Sequence, residues 1–272
     1  MITSPWIRTD GDLDIHFDCE FIDDHDGFSF ISIGAVLATN SKTSTFYGLS
    51  SGFFESPKFE STMRTNNTQN TWMTDNVFRH IIGALYAENH DGEKISRQGN
   101  IKELRDLMQK SSWFKFKPGL DQTYVIMSGS REVGQEEPDV VVVGDAKKLS
   151  SELVHAIHST IGGKDNLVTV RLFCYYGAYD QYALNRLFGG MLEAPEKFNH
   201  MNYDIRSLGD AFGYEHDEFN DTTPHHALSD AVVQYGMMRR LRNKIVKKHG
   251  LSLFPEKRHN DKALINLINT EW

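Results

Sequence analysis

Between residues 14 and 21 polar and apolar side chains alternate, with Ile15, Phe17, Cys19 and Phe21 on one face and Asp14, His16, Asp18 and Glu20 on the other. A period of two is that of a strand with one face on a core. The Asp26-Gly27 pair that follows is a hairpin signal, and the β-branched and aromatic run over residues 28–38 predicts the returning strand. A third strand is expected over residues 45–51, so the sheet opens as a meander.

The stretch 52–165 is less regular. Residues 70–86 carry Trp72, Met73, Val77, Ile81, Ile82 and Leu85 at helical spacing, and 101–109 predicts a second short helix. Residues 124–128 and 140–143 flank a polar, glycine-containing segment and are expected to pair as a hairpin. Residues 150–160 are amphipathic, with Leu153, Ile157 and Ile161 aligned. An α/β pattern follows. Residues 167–175 form a near-continuous apolar run suited to a buried strand. A helix over 179–188 stops at Gly189-Gly190. A short edge strand is expected over 202–205 and a short helix over 206–212. A long helix over 225–248 opens after Thr222-Thr223-Pro224 and closes at Gly250. Strands first, then strand–helix alternation, predicts an α/β fold with a mixed sheet flanked by helices.

Composition narrows the class. A chain of 272 residues, 39% apolar, is long enough for one large domain, and no repeat or Gly/Pro-rich linker interrupts it. Cys19 and Cys174 fit no metal or disulfide spacing and read as small core residues suited to a reducing compartment. No stretch is apolar enough to span a membrane, and the polar, acidic start is unlike a signal peptide, so a cytoplasmic location is expected. The net charge of −8 argues against broad binding to duplex nucleic acid, though not against an enzyme that grips a few phosphates through metal ions. The basic run 239–248 is read as a solvated helix end whose cations complement the dipole, in preference to a phosphate track.

Against that background the acidic residues of the first strand stand out. Asp18 and Glu20 leave the same face beside Phe17, Cys19 and Phe21, where two carboxylates are costly unless something offsets desolvation and repulsion. A hard divalent cation such as Mg²⁺ or Mn²⁺ does so; ordinary surface acids are the alternative. Asp180, after the buried strand, is either a helix-start acid or part of the same set. Asp230, one turn into the long helix, is equally suited to the dipole. Tyr175, Tyr176 and Tyr179 read as core packing in preference to a base-stacking surface. His16 reads as a surface or supporting residue, and Ser32 and Gly34 as sites of packing or close backbone approach.

Phe17-Asp18-Cys19-Glu20-Phe21-Ile22, Ile31-Ser32-Ile33-Gly34, Gly177-Ala178-Tyr179-Asp180, Asn202-Tyr203-Asp204-Ile205-Arg206 and the segment from His225 to Asp230 stand in one order. In that order they resemble the DEDDh 3′–5′ exonucleases, and most closely the mycobacterial-type 3′–5′ exoribonuclease branch. The likeness covers roughly residues 14–54 and 165–242, with a weaker one around 72–82. It implies an RNase H-like fold in a single domain over 1–272, with an insertion over about 83–166 between the third and fourth core strands and a C-terminal tail over 250–272. It also implies two Mg²⁺ or Mn²⁺ ions. Asp18, Glu20 and Asp230 would hold one, Asp18 would bridge to the second, and Asp180 would support the pair.

His225, five positions before Asp230, would be the general base, and His226 a helix-surface or packing neighbour. The positive end of the long helix favours a neutral imidazole there, and five residues of helix would turn His225 away from Asp230. It is therefore expected outside the regular helix, on an approach that closes over substrate. The resemblance implies a nucleic-acid substrate, RNA in preference to DNA, and is compatible with a homodimer. The rival classes are a deoxyribonuclease of the same fold, a binding module that has lost catalysis, and a structural protein with surface acids.

Overall fold

The structure, a computed structural model, describes residues 12–25, 27–54, 56–57, 77, 115–116, 125–126, 139–166, 169–195, 198–214 and 227–249. The helices expected over 70–86 (apart from the buried Val77) and 101–109, the residues from 215 to 226 and the tail over 250–272 lie outside these.

Strands β1 (Asp12–Asp24), β2 (Gly27–Ala38) and β3 (Thr43–Ser50) form the expected antiparallel meander. Gly27 takes a φ of 113° at the first turn, a backbone shape that a side chain would oppose. A one-turn helix α1 (Ser51–Phe54) follows, and β4 (Lys115–Phe116) and β5 (Val125–Ile126) make a separate two-stranded ribbon. Then come β6 (Val140–Gly144), α2 (Ala146–Thr160), β7 (Thr169–Cys174), α3 (Ala178–Leu187), β8 (Phe198–Asp204), α4 (Ile205–Ala211) and α5 (Ala227–His249). The main sheet runs β6-β3-β2-β1-β7-β8, with β6, β7 and β8 each parallel to its inner neighbour. It is a mixed sheet flanked by helices, consistent with an RNase H-like α/β topology.

The hairpin expected between residues 124–128 and 140–143 is not formed. Val125 and Ile126 pair with Lys115 and Phe116, whereas β6 pairs in parallel with β3 at the edge of the main sheet. Four consecutive valines explain the preference: a hairpin with one wet face would leave half of them in water, whereas the parallel strand packs Val140 and Val142 on the core and buries Val143 as well. The second half of the irregular stretch thus contributes a strand and a helix to the main layers.

The two faces of β1 go to different helices. Leu13, Ile15, Phe17 and Cys19 face a core built with Leu149, Leu153, Ala156 and Ile157 of α2 and Ala183, Leu184 and Leu187 of α3. The opposite face packs against α5, where Phe173 of β7 joins Met237, Met238, Leu241 and Ile245. Polar residues lie on this second face and are nonetheless buried. Asp14, opposite Arg171 in the parallel register, accepts from Arg171 Nε at 2.7 Å and pairs with Arg242 of α5 at 2.8 Å. All three side chains are buried. Arg242 also stacks on Phe173, 5.2 Å from the ring centre. The basic run of α5 is therefore not uniformly a solvated end: Arg239, Arg240, Lys244, Lys247 and Lys248 are exposed, and Arg242 points inward.

His16, expected as a surface or supporting residue, is not at the surface: it is fully enclosed between Phe173 (4.8 Å, stacked) and Tyr235 of α5 (5.2 Å, edge-on). It shares a strand face with Asp18 but sits deeper under the helix. Cys19 and Cys174 are buried free thiols, as expected. Among the described residues no helix is long and apolar enough to cross a membrane.

Removing Asp14 would leave two buried guanidinium groups without this carboxylate. Asp14→Ala is expected to cost about 3–5 kcal/mol in urea unfolding. A loss below about 1 kcal/mol would show that Arg171 and Arg242 do not depend on it.

Candidate metal centre

The carboxylates meet where β1 outruns β7. The parallel pairing of these strands ends at His16 and Phe173, so beyond it that edge of β1 has no strand beside it among the described residues. The Cys19 amide on that edge donates instead to Asp180 Oδ1 at 3.0 Å. On the other edge the pairing with β2 continues, Asp18 opposite Gly34 and Glu20 opposite Ser32, and then shifts register. A bulge of this kind ends regular pairing and re-aims side chains next to it.

Asp230 arrives from the far layer. Gly34 is the reason it can: a Cβ there would overlap the backbone of Ala227 and Leu228, so the first turn of α5 sits directly on the strand opposite Asp18. The expectation of close backbone approach at Gly34 is met in this contact. Asp18, Glu20 and Asp230 each offer an oxygen within 4.8 Å of the others, and all three are half-buried. One turn further along α5, Gln234 is buried and donates from Nε2 to Asp18 Oδ1 at 3.2 Å. Its spacing of four from Asp230, which puts both on one helix side, was the available sequence signal for it.

Asp180 is set by the turn before α3. The Gly177 amide donates to Asp204 Oδ2 at 3.3 Å, and the Gly177 carbonyl accepts from Asn202 Nδ2. A side chain at Gly177 would strike Asn202 and Cys174 Sγ. Asp204 also caps α4 through the amides of Arg206 and Ser207. The end of β8 therefore holds the start of α3, and with it Asp180, which is buried. Sequence reasoning found Asn202 and Asp204 only as part of a likeness; their work on Gly177 joins two chain segments that periodicity does not connect.

The electrostatics follow from this crowding. Burial, then the charges of Asp180, Glu20 and Asp230, hold the Asp18 carboxyl well above the usual carboxylate range, against the Gln234 hydrogen bond. Glu20 is pushed to about 8, by burial first and then by Asp230 and Asp180. Asp180 rises to about 7, by burial above all, with the Cys19 amide pulling it down and Asp230 and Asp204 pushing it up. Burial likewise raises the Cys19 and Cys174 thiols, so neither is a ready thiolate ligand. Carboxylates that repel one another and leave oxygens facing a common point are the donor set a hard divalent cation needs. Of the five site residues expected from sequence, the structure brings together Asp18, Glu20, Asp180 and Asp230; His225 lies outside the described residues.

Tyr176 and Tyr179 are not core residues, contrary to expectation. The buried strand ends at Cys174, and the turn at Tyr176 and Gly177 lifts the next side chains onto the surface.

A carboxyl whose pKa is higher folded than unfolded favours folding below its ordinary value and loses that contribution as pH rises through the folded value. For Glu20 and Asp180 the loss spans about 4.5 to 8 and about 3.8 to 7 respectively. Glu20→Gln is therefore expected to raise the Tm of protein held in EDTA at pH 8 by about 2–4 °C, near 1 kcal/mol, and to do little at pH 5. An equal shift at both pH values, or a lower Tm at pH 8, would contradict the repulsion.

Compared with protein-family models and with curated proteins, the sequence matches none. The chain is an α/β protein, broadly consistent with an RNase H-like superfamily member, whose acidic cluster could coordinate a divalent metal ion.

Proposed function

We propose that the protein is a metal-dependent 3′–5′ exonuclease that removes nucleotides from the 3′ end of single-stranded or overhanging nucleic acid, RNA in preference to DNA. The observation that carries this reading is the convergence of Asp18, Glu20 and Asp230 from two layers of the fold onto one point, with Asp180 buried beside them. A structural protein with surface acids would have no reason to bring these carboxyls together against their own repulsion. The resemblance of the surrounding segments supplies the reaction class and the RNA preference.

In this reading Asp18, Glu20 and Asp230 would hold Mg²⁺ or Mn²⁺. Such ions, when bound, neutralise charge on a phosphodiester and lower the pKa of a coordinated water. Gln234 keeps one Asp18 oxygen oriented, and Asp180, tied to the Cys19 amide, supports the cluster from the α3 side. His225, two residues before α5 begins, accepts the proton of the attacking water on its imidazole. The raised carboxyl pKa values imply that protons leave as the metal binds.

The test is hydrolysis of end-labelled single strands in Mg²⁺ or Mn²⁺, on matched RNA and DNA oligomers. Asp180→Asn and His225→Ala are each expected to lower the rate by about 10²–10³-fold while the thermal transition persists. Equal cleavage by wild type and both variants would defeat the proposal. Faster cleavage of DNA than of RNA would turn it to a deoxyribonuclease.

A further inference from the structure

We propose that Tyr176, Tyr179 and Tyr182 form a ridge that stacks the unpaired bases of a single strand beside the carboxylate cluster, with Arg206 as a phosphate anchor at one end. This rests on the nuclease reading above and specifies how that site takes its substrate.

The three tyrosines recur every third residue through the entry to α3, so Tyr179 and Tyr182 share a side of that helix with Tyr176 just before it. They are 55%, 72% and 41% exposed, whereas the other aromatics among the described residues pack mostly inward. Asp180 directly follows Tyr179 and is itself buried, so the ridge runs beside the residue whose carboxylate the Cys19 amide holds. Tyr176 holds a φ of 59°, unusual for a bulky residue, and backbone outliers of this kind cluster at functional sites.

Two cations border the ridge. The Arg206 guanidinium lies over the Tyr176 ring at 5.1 Å, donates to its hydroxyl, and reaches Asp210 at 3.4 Å. Arg186 lies over Phe28, whose ring meets Tyr182 edge-on at 5.4 Å and holds it in place. Rings with polar tips beside guanidinium groups match a chain of flat bases on a phosphate backbone better than an aliphatic surface. On a chain of net charge −8, local cations are what would draw a phosphate here. Bases already stacked in a duplex offer no face to such a ridge, so the occupant is a single strand.

The test uses the full chain with a fluorescein-labelled decamer of single-stranded RNA, in Ca²⁺, followed by anisotropy. Tyr179→Ala is expected to weaken binding about tenfold, and Tyr179→Phe, which keeps the ring, to stay within about twofold. Wild type should bind a decamer with three abasic 3′ residues about tenfold more weakly as well. Equal binding by Tyr179→Ala, equal losses in the Ala and Phe variants, or indifference to the missing bases would overturn the ridge. So would sedimentation showing that Tyr179→Ala dissolves a dimer and leaves RNA affinity unchanged, which would assign the surface to a second copy. Wild-type turnover of thymidine 5′-(p-nitrophenyl phosphate) in Mn²⁺ reads the carboxylate site without a strand. Turnover there with an indifferent ridge sinks this inference alone, whereas no turnover counts against the nuclease reading itself.

Discussion

Carboxylates crowded into a half-dry pocket repel one another, and the rest of this fold can be understood as what holds them there. Burial first, and then the charges of Asp230 and Asp180, lift the Glu20 carboxyl to about 8. Side chains on a flexible surface would relieve such strain by moving apart. Here they cannot. Asp18 and Glu20 belong to the central strand of a six-stranded sheet, Asp180 is tied to the backbone of that strand, and Asp230 rides on a helix seated on Gly34. The frame holds the repulsion in place, and a divalent cation would relieve it.

The frame is secured well away from the acids. Arg242 reaches from α5 to Asp14, four residues before Asp18 on the same strand face, and Arg171 of β7 reaches the same carboxylate. One buried charge group thus ties together β1, β7 and α5, the three elements whose relative placement decides whether Asp18 and Asp230 meet. A buried ion pair is weak as a source of net stability but demanding in geometry, since it tolerates neither rotation nor slippage of its helix. The clamp of Asn202 and Asp204 on Gly177 does the same for α3 and Asp180. On the outer side of that turn the chain leaves tyrosines in solvent, so one short segment carries a buried acid and exposed aromatic rings.

The opening meander, the buried strand after it and the long helix over 227–249 were legible because their patterns are local: a period of two, an unbroken apolar run, a long helical stretch between breakers. The carboxylates were legible for a different reason: the pattern alone puts Asp18 and Glu20 on the face away from the predicted core, and it was the ordered segments around Asp180 and Asp230 that joined them into one set. What sequence hid was non-local. The partner of the valine run at 140–143 is β3, some ninety residues earlier, and no local turn signal names it. His16 reads as exposed until α5 is laid over it, and Arg242 reads as one more cation of a solvated run until Asp14 is found beneath it. The tyrosines after Cys174 continue an aromatic string in sequence, but the left-handed turn at Tyr176 ends the burial that the string suggested. Gln234 carried only its spacing of four from Asp230 as a signal, and its partner Asp18 lies 216 residues away on another element.

The central claim is that Asp18, Glu20 and Asp230 are gathered to hold a divalent cation. Crystals grown in Mn²⁺ and measured at the manganese absorption edge test it directly. The expected result is an anomalous peak among the three side chains, about 2.0–2.2 Å from their oxygens. A map with manganese only elsewhere, or with none at full occupancy of the soak, would contradict it.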